Sequence, residues 1–397
     1  MKKLFLLVPV LLLCSCGSKE SKNNNSNAEL GDSSVPIRID ISLTDTELVT
    51  SDLYEIDSIV ALETIEASLI GDINKLEIYD GKLFIFDRDA VNKLVIFSSD
   101  GSYIGNIGRQ GGGPGEYDKI RDFCIDRENS RIIILDNHYN LLFFDSEGNH
   151  LETHKLVAPA GSIGIVSSGV VALFTEIKSS SYPYGDFKLK IYDYIKKEVI
   201  GTKFLADEPQ IVPSSSHPLS QTSLGLRLAY STTDTVYSVL ANEVRAKYLV
   251  NYEGNLKRPD DFFENLPNVE RRSKYIVESG YAGPPRNFIE TDQHIFFRFS
   301  LGGRIYQNLF DKTSGKLILS NKNVTNDYFM GSGKEALSPI AATESQFILS
   351  IEPQYVKMYR DMYASKGRDI EYHPILKPVL EGINGDENSM LLFVKMK

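Results

Sequence analysis

Two stretches of the chain carry the same alternation of apolar and polar positions. KLFIFDRDAVNKLVIFSSDG at 82–101 and RIIILDNHYNLLFFDSEG at 131–148 each read as a strand, an Asp-led loop, a second strand and a polar turn. Between them lies RQGGGPGEY at 109–117. Its glycines reach backbone angles that other residues avoid, and Pro114 fixes φ and removes a ladder donor. The two stretches are therefore repeated strand units joined by a sharp, Gly-rich link.

An aromatic that ends the third strand of each unit extends the pattern. Phe97, Phe144, Tyr192 and Tyr237 recur at a nearly constant spacing of about 47 residues, the size of a propeller blade. Phe310 and Phe393 continue the series at longer intervals that carry insertions. Six markers predict an all-β fold, a six-bladed β-propeller. Five blades are expected at 73–107, 120–156, 161–205, 218–251 and 286–320, and a sixth from Ser338 with strands at 347–352 and 390–397. No chain remains for the outer strand of the sixth blade. EIDSIVAL at 55–62 is expected to supply it, closing the ring and removing exposed edges, with a short strand at 37–41 alongside. Two stacked sandwiches are the competing arrangement, since the spacing is regular only in the first four units.

The departures from the repeat share one address. Residues 175–186 and 352–389 link second to third strands, and 254–285 links one blade to the next. Such links, with RQGGGPGEY among them, emerge on the same face of the disc. Two should be partly helical, with Asp260 as a helix cap in one and Tyr355, Met358, Tyr359 and Met362 at helical spacing in the other. Together they predict a lid over one mouth of the central channel. Long loops on one face of a rigid scaffold are where binding concentrates. The lid is rich in tyrosine, notably Tyr182, Tyr184, Tyr281, Tyr355 and Tyr359, whose flat rings and hydroxyls suit sugars or peptide side chains. The plainer role for these rings is packing the insertions onto the blades.

The chain opens on Lys2, Lys3 and an apolar run to Leu13, followed by Leu13-Cys14-Ser15-Cys16. The run is shorter than the roughly 20 residues a bilayer span needs, and its ending is that of a lipoprotein signal. Residues 1–15 are expected to be removed, Cys16 lipidated, residues 16–34 to form a disordered polar tether, and 35–397 to form the propeller. Cys124 is then the one internal cysteine, so no disulfide forms within the domain. The address is the cell envelope, lipid-anchored, with the outer membrane expected and the side it faces left open.

Composition agrees with β structure: Tyr and Phe number 21 and 20, with no Trp. The formal charge of −10 argues against nucleic acid as a partner. Candidate chemistry is sparse. Asp87 and Asp136 open matching loops, where an Asp ordinarily accepts its own loop amides. His138, His217 and His373 fall on the insertion face and could bind zinc if they converged. Arg109 and Glu116 flank the glycines beside Tyr117, to pair with each other or to meet a ligand. No Lys-Ser/Thr follows the glycines, so a phosphate loop is excluded. No cofactor is expected, although a propeller hydrolase or lyase would hold a divalent metal in the channel.

The lipobox at 13–16, ALET at 61–64, LIGDINKLEIYDGKLFIFD at 69–87, GRQGGGPGEY at 108–117 with the following IRDFCID, and ENSMLLFVKMK at 387–397 resemble a known family. It is the six-bladed β-propeller lipoproteins of Bacteroidetes, relatives of NHL-repeat propellers. The resemblance implies the fold and a periplasmic or surface address, with roles in binding or sensing near polysaccharide-utilisation systems, and it carries over no catalytic residue. The expectation is an anchored propeller that binds a glycan, a peptide or an envelope protein on the lidded face. The alternative is a metal-dependent hydrolase or lyase of the propeller lactonase type.

Overall fold

The computed structural model describes residues 35–206, 217–329 and 338–397. The expected signal sequence, Cys16 and the expected tether lie outside the described residues. Six sheets, each built on four antiparallel strands and one carrying a fifth, stand in a ring as a six-bladed β-propeller. Five are consecutive in sequence, at 75–106, 120–155, 162–205, 219–251 and 286–321. The sixth combines Pro339–Ala342, Phe347–Ile351 and Met390–Met396 with Tyr54–Ala61, which pairs antiparallel to the C-terminal strand from Tyr54↔Met396 to Ala61↔Met390. The closure expected from EIDSIVAL is present.

The strand sequences follow from where each strand lies in its blade. Middle strands such as Lys82–Asp87 and Arg131–Asp136 have neighbouring blades on both faces, and their apolar runs are buried throughout. Outer strands such as Tyr103–Asn106 are wetter, and they alternate. The buried apolar side chains accordingly divide into six clusters, one at each interface between successive blades. The last joins Leu76, Leu83 and Val95 of blade one to Ile348 and Leu391 of blade six, so the ring is sealed by a core like the other five.

Each third strand is paired to its fourth through a register shift, which falls at Phe97, Phe144, Tyr192, Tyr237 and Phe310 in the first five blades. All five of these rings pack toward the preceding blade. Phe393 breaks the series. It packs toward blade one, and Val394, just past the shift, takes the equivalent place against blade five. The aromatic marker is one residue out there: the shift falls where it does in the other five blades, and a valine, not an aromatic, occupies the position just past it.

The N-terminal segment also departs from expectation. Ile37–Asp40 does not lie beside blade six; it pairs parallel with Val244–Asn251 on the outer edge of blade four. Ile39 is fully buried in the core between blades four and five, where an apolar site was open at that edge. The chain then bridges from Thr44 to Asn321 of blade five and pairs Leu48–Val49 with Val324–Thr325 before entering blade six. It forms a strap across three blades.

The insertions lie where their links emerge. Val269–Glu278 and Pro353–Ala364 are helical. The first starts after Pro267 with Asn268 at its cap position, so Asp260 lies in a turn well before the helix and does not cap it. No helix among the described residues is long and apolar enough to cross a membrane.

Candidate functional site

A cavity of about 880 Å³ occupies the central channel, walled by the innermost strands and lined among others by Lys75, Glu77, Arg127, His217, Gln221 and Glu290. At one end it reaches the turns between first and second strands, at Arg127, Ser223 and Glu344, on the face away from the insertions. None of the three insertions contributes to its wall.

Charge enters this wall through innermost strands that are otherwise apolar. In Lys75–Tyr79 the polar side chains Lys75 and Glu77 alternate with Leu76 and Ile78, which pack toward blade six. The Lys75 ammonium meets Asp122 Oδ1 of blade two at 2.9 Å and also donates to the Phe123 carbonyl. Asp122 Oδ2 accepts the Ile163 amide of blade three at 2.9 Å. One lysine and one carboxylate thus tie three blades at the channel rim. The Asp122 and Glu77 carboxylates outweigh burial and hold Lys75 above its ordinary pKa, so it is cationic.

Glu77 is buried, with Lys75 at 3.6 Å and Arg127 at 3.8 Å, yet neither of its carboxylate oxygens has a hydrogen-bond partner. Burial raises its pKa, against the pull of the two cations. Gln221 Oε1, on blade four, is likewise buried without a partner. Burial pushes the His217 imidazole down to about 4, so it faces the channel uncharged near neutrality. Glu290 is satisfied: it receives Arg227 at 2.7 Å, Tyr248 at 2.6 Å and Lys312 at 2.9 Å, joining blades four and five.

The residues singled out from sequence fall in separate places. Arg109 and Glu116 pair with each other at 2.5 Å across a short parallel ladder, and the Gly113 amide, then Arg109, holds Glu116 below the usual carboxylate range. A Cβ on Gly111 would stand 2.1 Å from Glu116 Oε2, so a larger residue there would have to turn the carboxylate away from its present partners. Tyr117 is buried in the core between blades one and two, its pKa pushed up to about 12 by burial. Asp87 accepts the amides of Gly71, Asp72, Asp89, Ala90 and Val91, and Asp136 those of His138 and Asn140. Both organise their loops.

His138 stands 3.3 Å from Asp118, His217 lines the channel, and His373 packs edge-on to Tyr328 with its Nδ1 buried and unpartnered. They do not meet. Among the described residues no three His, Cys, Asp or Glu side chains gather as a metal-ligand group. Tyr182 sits edge-on to Tyr139, and Tyr184 packs on the core between blades two and three. Tyr355 is partly exposed on its helix, Tyr359 lies over Phe329, and Tyr281 packs edge-on to Phe262. Tyr281 lines a smaller cavity beside the helix Val269–Glu278.

Sequence reading passed over Lys75, Glu77, Asp122 and Gln221. The available signal was a charge or amide inside a short, otherwise apolar innermost strand, a combination that calls for a partner.

A family model described as a domain of unknown function (DUF4934) matches residues 36–395. No curated protein matches the chain. Among solved structures, one of a protein described as exported, from Bacteroides fragilis NCTC 9343, is similar at a TM-score of 0.77 and 20% identity, covering 91% of this chain and 100% of that one. A member of the DUF4221 family from Bacteroides vulgatus ATCC 8482 is similar at 0.51 and 12% identity, covering 87% and 98%. At these identities the likeness is one of fold.

Proposed function

Since the chain belongs to the DUF4934 family, whose function is unknown, we propose that it is an exported, membrane-anchored binding module that seats a glycan or peptide segment in the central channel. One observation carries this reading: three buried acceptors of the channel wall, both oxygens of Glu77 and Oε1 of Gln221, lack hydrogen-bond donors. An unmade hydrogen bond at a buried acceptor costs about 1–3 kcal/mol, and a ligand rich in hydroxyl or amine donors would relieve it. The neutral His217 adds a further polar contact, and the channel's size suits several sugar or amino-acid units. The export of the Bacteroides fragilis neighbour and the Leu13–Cys16 order support the address, with Cys16 as the lipidated residue. The likeness to NHL-type propeller lipoproteins of Bacteroidetes belongs to the same proposal.

The test is calorimetric titration of the protein against soluble oligosaccharides and short peptides, repeated with Glu77→Gln and Gln221→Ala. A ligand from one class should bind, and each substitution should weaken it by tenfold or more while the melting temperature stays close to wild type. Binding that both substitutions leave intact, or no binding from either class, overturns the channel site. Incorporation of labelled palmitate that survives Cys16→Ser would overturn the anchor.

A further inference from the structure

The second cavity, about 200 Å³, lies between the helix Val269–Glu278 and the start of blade five, and it shares no lining residue with the channel. Its body is apolar and aromatic. Phe262 stacks on Tyr275 at 5.8 Å, and Tyr281 meets it edge-on at 5.5 Å, while Phe263, Ile276 and Pro284 complete the wall. Its polar end holds two guanidinium groups with different circumstances. Arg258 is committed, because it pairs with Asp234, donates to the Ala282 carbonyl and lies over the Phe263 ring at 5.1 Å. Arg286 donates one hydrogen bond, to Ser300 Oγ at 3.0 Å, and among the described residues it has no carboxylate partner. Burial also pulls its pKa below the usual guanidinium value.

A half-buried guanidinium facing an aromatic cavity without a counter-ion is costly unless an anion arrives from outside the chain. Arg presents parallel N–H donors that match a carboxylate. The cavity is smaller than the roughly 300 Å³ at which pockets for drug-sized ligands begin, so the occupant is small. A single uncommitted cation matches a monoanion and not a phosphate dianion. We infer that this cavity is a binding site for a small carboxylic acid with an apolar or aromatic body, its carboxylate on Arg286 and its body among Phe262, Phe263, Ile276 and Tyr281. The site is independent of the channel.

The probe is 3-phenylpropanoate, with its neutral amide as the isosteric control, titrated calorimetrically into the full chain. The acid should bind at least tenfold more tightly than the amide. Arg286→Gln should reduce the acid to the level of the amide, leaving the amide unchanged, and Arg286→Lys should restore part of the difference. Ser273→Phe, at an exposed helix position on the cavity rim, should weaken acid and amide together without touching the cation. Equal binding of acid and amide overturns the inference. So does an acid affinity that Arg286→Gln leaves intact, or the absence of acid binding to the wild-type protein at millimolar concentration. If Arg286→Gln fails to fold, the acid-to-amide ratio of the wild type and the Ser273→Phe variant decide the matter.

Discussion

The Lys75 ammonium of blade one lies 2.9 Å from Asp122 Oδ1 of blade two, and the second oxygen of that carboxylate holds the Ile163 amide of blade three. The ring is thus tied at its rim by polar contacts as well as by six apolar cores. The two kinds of contact differ in what their loss leaves behind. Truncating an apolar side chain leaves a cavity, whereas truncating Asp122 strips a buried ammonium of its nearest carboxylate and the Ile163 amide of its acceptor.

Asp122→Ala should therefore destabilise the protein by about 3–5 kcal/mol, the range for breaking a buried ion pair on one side. Asp122→Asn keeps an acceptor and should cost less. Lys75→Met combined with Asp122→Ala removes both charges and should recover part of the loss, because the penalty comes mainly from the stranded cation. Urea denaturation of these three variants and of Lys75→Met alone checks this. A double variant as unstable as the two single losses summed would show that Lys75 and Asp122 are not coupled.

Ring closure makes a second test at Gly101, in the turn between the third and fourth strands of blade one. Its φ is +91°, and a Cβ there would stand 2.1 Å from the Ala61 carbonyl oxygen of the closing strand. The Glu63 amide also donates to the Gly101 carbonyl at 2.8 Å. Gly81 provides the control, with φ +67° and open space around its Cβ. Gly81→Ala should cost about 1 kcal/mol, from backbone conformation alone. Gly101→Ala should cost more than about 2 kcal/mol, since the obstacle is main chain and cannot swing aside. Equal shifts in thermal unfolding would mean that the closing strand yields at this contact.

The propeller was legible because each blade repeats one local pattern. Continuous apolar runs mark middle strands, and an aromatic precedes each polar turn. Even the closure through EIDSIVAL could be read, since the sixth blade lacked a strand and only one unassigned segment could fill it. The strap strand was misplaced because Ile37–Asp40 carries no pattern that distinguishes the edge of blade four from that of blade six; what decides is the buried site that Ile39 fills. The channel wall was hidden for a related reason. Lys75 and Glu77 of blade one, Asp122 of blade two and Gln221 of blade four come from distant parts of the sequence, and only the ring brings those strands together. The tyrosines drew attention by their number, yet most pack their own insertions onto the nearest blade.

Lys190 offers a prediction that depends on pH. It is fully buried in the third strand of blade three, donates to the Phe187 carbonyl at 3.1 Å, and has no carboxylate partner among the described residues. Burial lowers its pKa to about 7, whereas an exposed lysine of the unfolded chain titrates near 10.4. Between those values the unfolded chain binds more protons than the folded one, so stability must rise as pH increases from about 7 toward 10. Read downward, the favourable contribution of the neutral amine is present above the unfolded pKa and is lost as pH falls to the folded pKa. Below that, the folded protein carries a buried ammonium. Lys190→Met removes this titration while keeping the length of the chain, and it should stabilise the protein at pH 7 by at most on the order of 4 kcal/mol, from the difference between the two pKa values. The difference in unfolding free energy between variant and wild type should shrink steadily as pH is raised toward 10. A difference that stays constant across that interval would mean that the Lys190 amine titrates alike in the folded and unfolded chains.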